Sequence, residues 1–310
     1  MVPVFSGQAV EAAVPPERAV EAVRDAFIAY ARGDWSMPSK VYVPAYPAGD
    51  FRAMPVLGGG YAALKWVTSF PGNPARGLPT VTGLVLLSDA SDGSLVAVFD
   101  AGAVTALRTG AAAVLAAETL RAGSGPAAVI GAGVNGRAAA RTFVAIGREV
   151  LLWDVDETRA RTAVEDLGTG VAATREEALA AEVVVTVTPG HETLFEQGSL
   201  RPGQHVSLMG ADGPGKAEIA VEELVRTHVF CDDWEQASHN GELAHAVEAR
   251  ALPRERVTEL GHVLTGEAEG RVSADEITTF DSTGLAIQDL AIALAAHARR
   301  HELDLPELEL

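Results

Sequence analysis

Four charged residues stand in apolar or glycine-rich stretches of this sequence, where a charge is costly unless it has a partner. They are Arg52 in FRAMP, Lys65 in ALKWV, Arg108 in TALRTGAAA and Asp212 in LMGADGPGK. Any one of them could be a surface charge or a member of a structural ion pair. Four residues of the same character favour a shared polar pocket for an anion. Arg52 suits a carboxylate, because a guanidinium binds one through two parallel hydrogen bonds.

A glycine-rich turn follows the apolar segment PAAVI. Residues 129–136, VIGAGVNG, match the G-x-G-x-x-G pattern through Gly131, Gly133 and Gly136. In a dinucleotide site the first glycine permits a tight turn, and the second lets the backbone approach a pyrophosphate. The N-terminus of the following helix offers free N–H groups and a partial positive charge. A glycine-rich turn that binds nothing is the alternative interpretation.

An acidic residue, Asp154, ends the second predicted strand, EVLLW. At this place a carboxylate accepts hydrogen bonds from the adenosine ribose and repels a 2′-phosphate. The pattern therefore predicts NAD as the cofactor. Arg159 and Arg161 keep NADP open, and FAD is a further alternative, since its sites share the glycine pattern.

A nicotinamide enzyme acting on an amino acid needs a cation for the carboxylate and a group that moves protons. Arg52 suits the first role. Lys65 and Asp212 suit the second, because burial or a neighbouring charge could move the pKa of either towards neutrality.

The order of segments predicts an α/β protein with two domains. From about residue 38 to 100, KVYVPAY, YAALKWVTSF, TVTGLVLLSD and LVAVFD indicate a mainly antiparallel sheet. After SGP, short strands alternate with helices, as in a parallel Rossmann sheet. The apolar helix in ITTFDSTGLAIQDLAIALAAHARR, for which we expect a serine or threonine cap, returns to the first domain.

We therefore expect a Rossmann dinucleotide-binding domain inserted in a discontinuous α+β domain for substrate binding and dimerisation. The predicted bounds are 1–118 for the first part, 119–284 for the Rossmann domain and 285–310 for the returning helix.

Composition narrows the classes of partner. The chain has 310 residues and a formal net charge of −18, which argues against nucleic acid and anionic membranes. Its one cysteine, Cys231, excludes an intrachain disulfide and predicts a cytoplasmic, reducing setting. We interpret Cys231 as a buried strand-end residue. We expect no metal, because His239 and His245 lack a ligand spacing.

Several motifs, taken in order, resemble the ornithine cyclodeaminase/μ-crystallin family, and most of all its alanine dehydrogenase branch. These motifs are FRAMP, LKWV, NPARGLPTV, DAGAVTALRTGAAA, GAGVNG, GADGPGKAEI and FDSTGLAIQDLA. The similarity covers nearly the whole chain, and RTGAA, GADGPGK and STGLAIQD are more specific than the glycine pattern.

The resemblance implies a homodimer and a set of site residues. Lys65 would donate or accept the catalytic proton, with Asp212 as its partner, and Arg52 would hold the substrate carboxylate together with Lys65. The implied cofactor contacts are Arg108, Thr109, Gly131, Gly133, Val134, Asn135, Gly136, Asp154, Thr186, Thr188, Met209, Gly210, Ser282 and Thr283.

One departure from the family bears on the substrate. Members that cyclise ornithine carry a glutamate, in an E-L-M-P motif, where this chain has Arg52. An arginine there would repel a side-chain ammonium, which favours a simple dehydrogenase. The alternative is that Arg52 points outward and another acid takes the role, with Asp50 the nearest candidate.

The resemblance therefore implies NAD-dependent interconversion of a small 2-amino acid, alanine by preference, with its 2-oxo acid and ammonia. The alternatives are a cyclodeaminase of the ornithine or lysine type and a reductase of ketimines or N-alkyl amino acids. A nucleotide-binding protein without turnover, as among μ-crystallin-like relatives, is a third possibility.

Overall fold

The structure is a computed structural model that describes residues 1–190, 192–211 and 215–309. Its strands are β1 (Val2–Phe5), β2 (Val41–Ala45), β3 (Gly49–Gly58), β4 (Tyr61–Ser69), β5 (Val81–Asp89), β6 (Leu95–Asp100), β7 (Ala127–Ile130), β8 (Val150–Trp153), β9 (Val171–Ala172), β10 (Val183–Thr186), β11 (His205–Leu208), β12 (His228–Cys231), β13 (Val257–Glu259), β14 (Thr278–Asp281) and β15 (Glu307–Leu308).

The helices lie before, between and after these strands. They are α1 (Gly7–Ala13), α2 (Pro16–Ala31), α3 (Ala101–Leu120), α4 (Val134–Ala145), α5 (Glu157–Leu167), α6 (Arg175–Leu179), α7 (Val221–Leu224), α8 (Trp234–Asn240), α9 (Leu243–Glu248), α10 (Leu260–Thr265) and α11 (Ala286–Ala298). Three short 3₁₀ turns occupy Asn73–Arg76, Arg254–Arg256 and Arg300–Glu302.

The chain divides into two compact units. The first consists of Met1–Arg108 and Leu285–Leu310, and the second is Thr109–Gly284. The division at Arg108 falls inside helix α3, and so does the predicted boundary at 118/119, which stands nearer to the C-terminal end of that helix. The mixed α/β class with a parallel, Rossmann-type sheet is confirmed.

The first unit is built on a seven-stranded sheet in the order β15-β1-β6-β5-β4-β3-β2. Strands β2 to β6 pair antiparallel, as the sequence predicts, and β1 pairs with β6 in parallel. Successive side chains of a strand point to opposite faces. In β4 this alternation buries Ala63, Lys65 and Val67 and leaves Leu64 and Trp66 exposed.

Helix α11 packs on β3, β4 and β5 and against helix α2. Helix α11 has apolar residues on most of its faces and is buried along nearly its whole length. Helix α2 begins with Pro16 in its first turn, where a missing N–H costs nothing, and buries Val23 and Phe27 at helical spacing.

The predicted serine or threonine cap of α11 is wrong. The residue before the helix is Leu285, and its backbone N–H donates to Gln288 Oε1 at 3.3 Å. Ser282 donates instead to the carboxylate of Asp232, so its hydroxyl is not available to the helix. The serine predicted to cap the helix makes a long-range contact within the second unit instead.

The second unit holds an eight-stranded parallel sheet in the order β13-β12-β14-β11-β10-β7-β8-β9. The chain runs outward from β7 through β8 to β9, and then starts again on the other side of β7 with β10 and β11. In such sheets ligands bind beyond the carboxyl ends of the strands at this reversal. The glycine turn at 131–136 follows β7 and therefore lies at this point.

Polar side chains also lie in the interior of the second unit. His205 is fully buried on β11, and its two ring nitrogens are 2.9 Å from Thr278 Oγ1 and from Ser207 Oγ. Burial, together with the charge of Arg271, lowers the pKa of His205 to about 3, so this histidine is neutral at ordinary pH.

Helix α3 is long and apolar enough to cross a membrane by length and composition alone. In the structure 72% of that stretch is buried. Buried core helices pass the same test, so this is weak support for a membrane span.

Candidate active site

Lys65 lies on the covered face of β4 and is 2% exposed. Its Nζ donates to Asp289 Oδ1 at 2.8 Å. Asp289 belongs to the first turn of α11, where a carboxylate is favoured by the helix dipole. The two charges come from positions 224 residues apart and meet in a dry environment.

Arg108 adds a second cation beside this pair. Its Nε is 3.7 Å from Asp289 Oδ1, and its Nη1 donates to Gln288 Oε1 at 3.4 Å. The carboxylate of Asp289 therefore serves two cations. Lys65, Arg108 and Asp289 together carry one positive charge in excess.

Burial lowers the pKa of Lys65 from about 10.5 to about 8. The charge of Asp289 opposes this shift, while the charges of Arg108 and Arg52 add to it. An amine with a pKa near 8 exists in both protonation states at ordinary pH, so it can take up and release a proton during a reaction.

Three buried polar atoms next to this cluster lack a hydrogen-bond partner in the described part of the chain. They are Arg108 Nε, Gln288 Nε2 and Asp289 Oδ2. Buried polar groups are nearly always hydrogen-bonded, and exceptions need an explanation. Two donors and one acceptor left open around a buried amine indicate a place for a small polar ligand.

Arg52 lies on the same sheet and is paired with an acid. Its Nε donates to Asp50 Oδ1 at 2.6 Å and its Nη2 to Asp50 Oδ2 at 3.3 Å. The Arg52 side chain is 11% exposed, so it does not point outward. Tyr42 lies opposite Arg52 on β2, with its ring centre 5.3 Å from the guanidinium carbon.

The glycine turn of the second unit has the geometry that its pattern predicts. Gly131 has φ +104, and a Cβ there would lie 2.6 Å from Val187 O. A Cβ on Gly136 would lie 1.7 Å from Gly131 O, so only glycine fits. At Gly133, by contrast, no described atom would lie within 4 Å of a Cβ, which leaves room for a ligand to approach the backbone.

Asp154 follows β8 and is buried. Its Oδ2 accepts from the backbone N–H of Ala132 at 2.7 Å, and its Oδ1 accepts from that of Asp156 at 2.9 Å. The carboxylate therefore braces the glycine turn. Arg159 pairs with Asp156, the residue before helix α5, at 3.5 Å, and Arg161 pairs with Glu157, the first residue of α5, at 3.0 Å.

Glu218 joins the ends of two neighbouring strands. Its Oε2 accepts from Thr186 Oγ1 at 2.5 Å and from the Gly210 N–H at 3.1 Å. Its Oε1 accepts from Thr188 Oγ1 at 2.6 Å and from the Thr188 N–H at 3.1 Å. Burial raises the pKa of Glu218, against the effect of these four donors. One carboxylate thus joins Thr186 and Thr188, at the end of β10, to Gly210, just after β11.

Asp232, which follows β12, accepts hydrogen bonds from the residues just after β14. Its Oδ2 accepts from Ser282 Oγ at 3.1 Å and from the Gly284 N–H at 2.9 Å, and Thr283 Oγ1 lies 3.4 Å from its Oδ1. Ser282 and Thr283 are therefore held by an acid within the second unit.

The remaining predicted positions vary in their surroundings. Val134, at the start of α4, is exposed, and Asn135 is partly exposed. Met209 is buried, and Thr109 has a buried hydroxyl without a hydrogen-bond partner in the described residues. Asp212 lies outside the described residues. Cys231 is buried at the end of β12, as predicted, and burial and nearby acids raise the pKa of its thiol well above its ordinary value.

Sequence reasoning missed four of these residues: Asp289, Gln288, Glu218 and Asp232. A signal existed for Asp289, since it is the one charged residue in LAIQDLAIALAA, a stretch that is apolar apart from Asp289 and Gln288. For Glu218, in the segment GKAEI, no comparable signal exists. Nothing in the local sequence connects it to Thr186 or Gly210.

The chain is similar to known proteins over most of its length. The family model described as ornithine cyclodeaminase/mu-crystallin matches residues 4–302. An alanine dehydrogenase of Archaeoglobus fulgidus is 43% identical over 94% of this chain and 92% of its own. An ornithine cyclodeaminase of Agrobacterium tumefaciens is 34% identical over 84% of this chain and 76% of its own.

A solved structure supports the same grouping. It is an archaeal alanine dehydrogenase dimer with bound NAD, 40% identical to this chain, with a TM-score of 0.91 over 97% of this chain and 96% of that one. At 97% of this chain, the match extends over both units. This chain is therefore a member of the ornithine cyclodeaminase/mu-crystallin family.

Proposed function

We propose that this protein is an NAD-dependent oxidoreductase that interconverts a small 2-amino acid, L-alanine by preference, with its 2-oxo acid and ammonia. The observation that carries the proposal is the buried Lys65–Asp289 pair beside Arg108, with its open hydrogen-bonding atoms. The Archaeoglobus relative is an alanine dehydrogenase, which supports the proposed substrate. The archaeal alanine dehydrogenase structure has NAD bound, which supports the proposed cofactor.

The substrate end of the site fits one carboxylate. Lys65, Arg108 and Asp289 leave one positive charge, and Arg108 Nε and Gln288 Nε2 are open donors. We assign the α-carboxylate to Arg108, with Lys65 beside it. The resemblance gave this role to Arg52, but the guanidinium of Arg52 already donates two hydrogen bonds to Asp50.

The second unit has the features that a dinucleotide requires. Gly133 is open to a ligand, and the start of helix α4 offers backbone N–H groups to a pyrophosphate. The Asp154 carboxylate repels a 2′-phosphate and so favours NAD over NADP. Arg159 and Arg161 are each paired with an acid, so they offer little attraction for a 2′-phosphate. NAD, when bound, supplies the acceptor for the hydride that leaves the substrate α-carbon.

Lys65 then moves the protons. Loss of hydride and a proton from the amino acid leaves an imine. Water adds to the imine to give a carbinolamine, which releases ammonia and its hydroxyl proton to give the 2-oxo acid. Neutral Lys65 accepts a proton from the attacking water, and its ammonium form donates one to the leaving nitrogen. Asp289 holds Nζ in place through both states. Asp212 remains proposed as a second acid–base group.

We also propose a homodimer formed through the outer face of the first sheet. Directly opposite residues on four strands, Val41, Ala53, Trp66 and Leu84, form one row across this face. Three of them are large and 43–56% exposed. An exposed apolar surface of this kind is typical of an association site, and the archaeal relative is a dimer. We also propose a cytoplasmic location, since the single cysteine, Cys231, is free and a reducing setting keeps it so.

The first prediction concerns turnover. Lys65→Met should lower kcat for pyruvate, ammonia and NADH by about 10²-fold or more, because it removes the proton-transferring amine. NADH binding, followed by fluorescence in the same variant, should change little. Full activity of this variant would contradict the assignment. Ammonia release from ornithine without net NADH formation by the wild type would indicate a cyclodeaminase instead.

The second prediction concerns pH. Alanine oxidation requires neutral Lys65, so kcat/KM should rise with pH and level off above about 8. Asp289→Asn removes the charge that raises the pKa of Lys65, so this rise should move to lower pH. Arg108→Gln removes a charge that lowers the same pKa and should move the rise to higher pH. Movement of both profiles in one direction would refute this account.

The third prediction separates cofactor binding from folding. Gly133→Ser adds atoms where no described residue is near, and serine is a favourable residue before a helix, so Tm should stay unchanged. NADH affinity should fall at least about tenfold, or about 1.4 kcal/mol, because the backbone can no longer approach the pyrophosphate. Gly136→Ala should instead lower Tm. Unchanged NADH binding by Gly133→Ser, in a titration, would argue against a dinucleotide here.

The fourth prediction concerns assembly. Leu84→Glu places a charge at one end of the exposed apolar row and should convert the wild-type dimer to a monomer in light scattering after size exclusion. Val272→Glu, which alters an exposed valine in the second unit, is the matched control and should leave the mass unchanged. A dimer that survives Leu84→Glu would rule out this face.

A further inference from the structure

Three buried acids are linked by hydrogen bonds inside the second unit. Glu218 accepts from groups at the ends of β10 and β11, and its own backbone N–H donates to Glu242 Oε1 at 2.7 Å. The residue after Glu242, Leu243, donates its N–H to Asp281 Oδ2 at 3.0 Å. Glu218, Glu242 and Asp281 are 0%, 2% and 1% exposed. The contacts therefore run from two strand ends back to the last residue of β14.

These acids have no basic partner in the described part of the chain. No lysine, arginine or histidine there forms an ion pair with Glu218, Glu242 or Asp281. The described residues also contain no group of three or more ligating side chains that could hold a metal ion. A buried carboxylate charge is costly when no cation compensates it. Protonation is the remaining way to lower the charge of this cluster.

Hydrogen bonding distinguishes the acids that can hold a proton. Both carboxylate oxygens of Glu218 accept, from two hydroxyl groups and two backbone N–H groups. By contrast, Glu242 Oε2 and Asp281 Oδ1 are buried and have no hydrogen-bond partner in the described residues. An ionised carboxylate can only accept, so burying one of its oxygens without a donor is costly. The two open oxygens are therefore the places for protons, and Glu218 keeps the negative charge.

The surrounding charges act in the same direction. Burial raises the pKa of Glu242 well above its ordinary value, and the charges of Glu218 and Asp281 add to this shift. Burial likewise raises the pKa of Asp281 well above its ordinary value, and the charge of Asp232 adds to it. Backbone N–H groups oppose both shifts without cancelling them. Both acids thus face other acids, which favours their neutral forms.

The other titratable groups on neighbouring elements do not supply a countercharge. Cys231, at the end of β12, has a thiol whose pKa is raised well above its ordinary value by burial. Glu259, at the end of β13, is an acid, and Arg254 pairs with it at 2.9 Å. His245 on α9 contacts the backbone carbonyl of Lys216 through Nε2 at 3.0 Å. None of these contacts compensates a charge on the three linked acids.

We propose that Glu242 and Asp281 are positioning residues that each carry a proton and, through Glu218, hold the strand ends at which the cofactor is proposed to bind. This inference rests on the proposed function for the place of the cofactor and adds two residues that act on it through Glu218. A neutral Glu242 offers an acceptor to the Glu218 N–H without placing a second negative charge beside the Glu218 carboxylate. Two such charges would repel each other strongly in a dry environment.

The first readout is thermal stability as a function of pH, measured by calorimetry. Above the ordinary pKa of a carboxyl group, about 4, the unfolded chain releases protons that the folded protein keeps, so stability falls as pH rises towards the folded pKa. Glu242→Gln and Asp281→Asn hold no such proton and avoid this loss. Their Tm relative to wild type should therefore rise by about 2 °C or more between about pH 5.5 and about pH 8. A constant or falling difference would overturn the inference.

The second readout is NADH affinity, measured by fluorescence titration. Glu242→Gln keeps an oxygen that can accept from the Glu218 N–H, so its NADH affinity should stay within about twofold of wild type. Glu242→Leu removes this acceptor and should weaken NADH binding by about tenfold or more. Glu248→Gln, the same substitution at an exposed position of α9, is the matched control and should change neither readout.

The outcomes separate this inference from the proposed function. A wild type that binds NADH but is inactive on all amino acids and 2-oxo acids tested would refute the proposed reaction alone, because neither readout depends on turnover. Equal NADH affinity of the glutamine and leucine variants would overturn the positioning role. Should Glu242→Leu fail to fold, Glu242→Gln decides. Retained NADH affinity with the expected gain in Tm supports the inference, and a loss of affinity of about tenfold or more overturns it.

Discussion

The burial of the Lys65 amino group against Asp289 is the interaction on which the first unit depends. Removing two charges from water costs several kcal/mol for each ion, and this is recovered only with close geometry and additional hydrogen bonds. The pair needs a strand and a helix from opposite ends of the chain, so α11 must return to the sheet after the second unit. Apolar neighbours on both elements keep water away, and this dryness lowers the pKa of Lys65.

The alternation of strand β4 gives the two faces of one sheet different tasks. Ala63, Lys65 and Val67 point to the covered face, while Leu64 and Trp66 point outward. A slip of one residue in register would exchange these sets and place the amine on the apolar outer surface. Long antiparallel pairing on both sides, from Tyr61 to Ser69, holds the register. The proposed reaction and the proposed dimer contact therefore use opposite faces of the same strand.

The second unit is ordered by buried carboxylates at its strand ends. Glu218 and Asp232 accept hydrogen bonds from hydroxyl and backbone groups that would otherwise be unsatisfied. Loops at the carboxyl ends of parallel strands are exposed to ligands, and flexible loops lose affinity because ordering them costs entropy. Glu218 joins Thr188 to Gly210, close to the ends of two neighbouring strands. Its four donors explain why Thr186, Thr188 and Gly210 occur together near the proposed cofactor site.

Local pattern was sufficient for much of this protein. Strand and helix alternation predicted the parallel sheet, the glycine spacing predicted the tight turn at Gly131, and Lys65 in an apolar stretch indicated a place in a shared polar pocket. These features depend on residues close together in sequence, whose periodicity and size carry the information. The partners of the charged residues depend on contacts between distant segments. Only the tertiary structure placed Asp289 beside Lys65. Only the tertiary structure likewise placed Glu218 beside the ends of β10 and β11. It also paired Arg52 with Asp50, because the conformation of a strand, and not its composition, decides which neighbouring side chains meet.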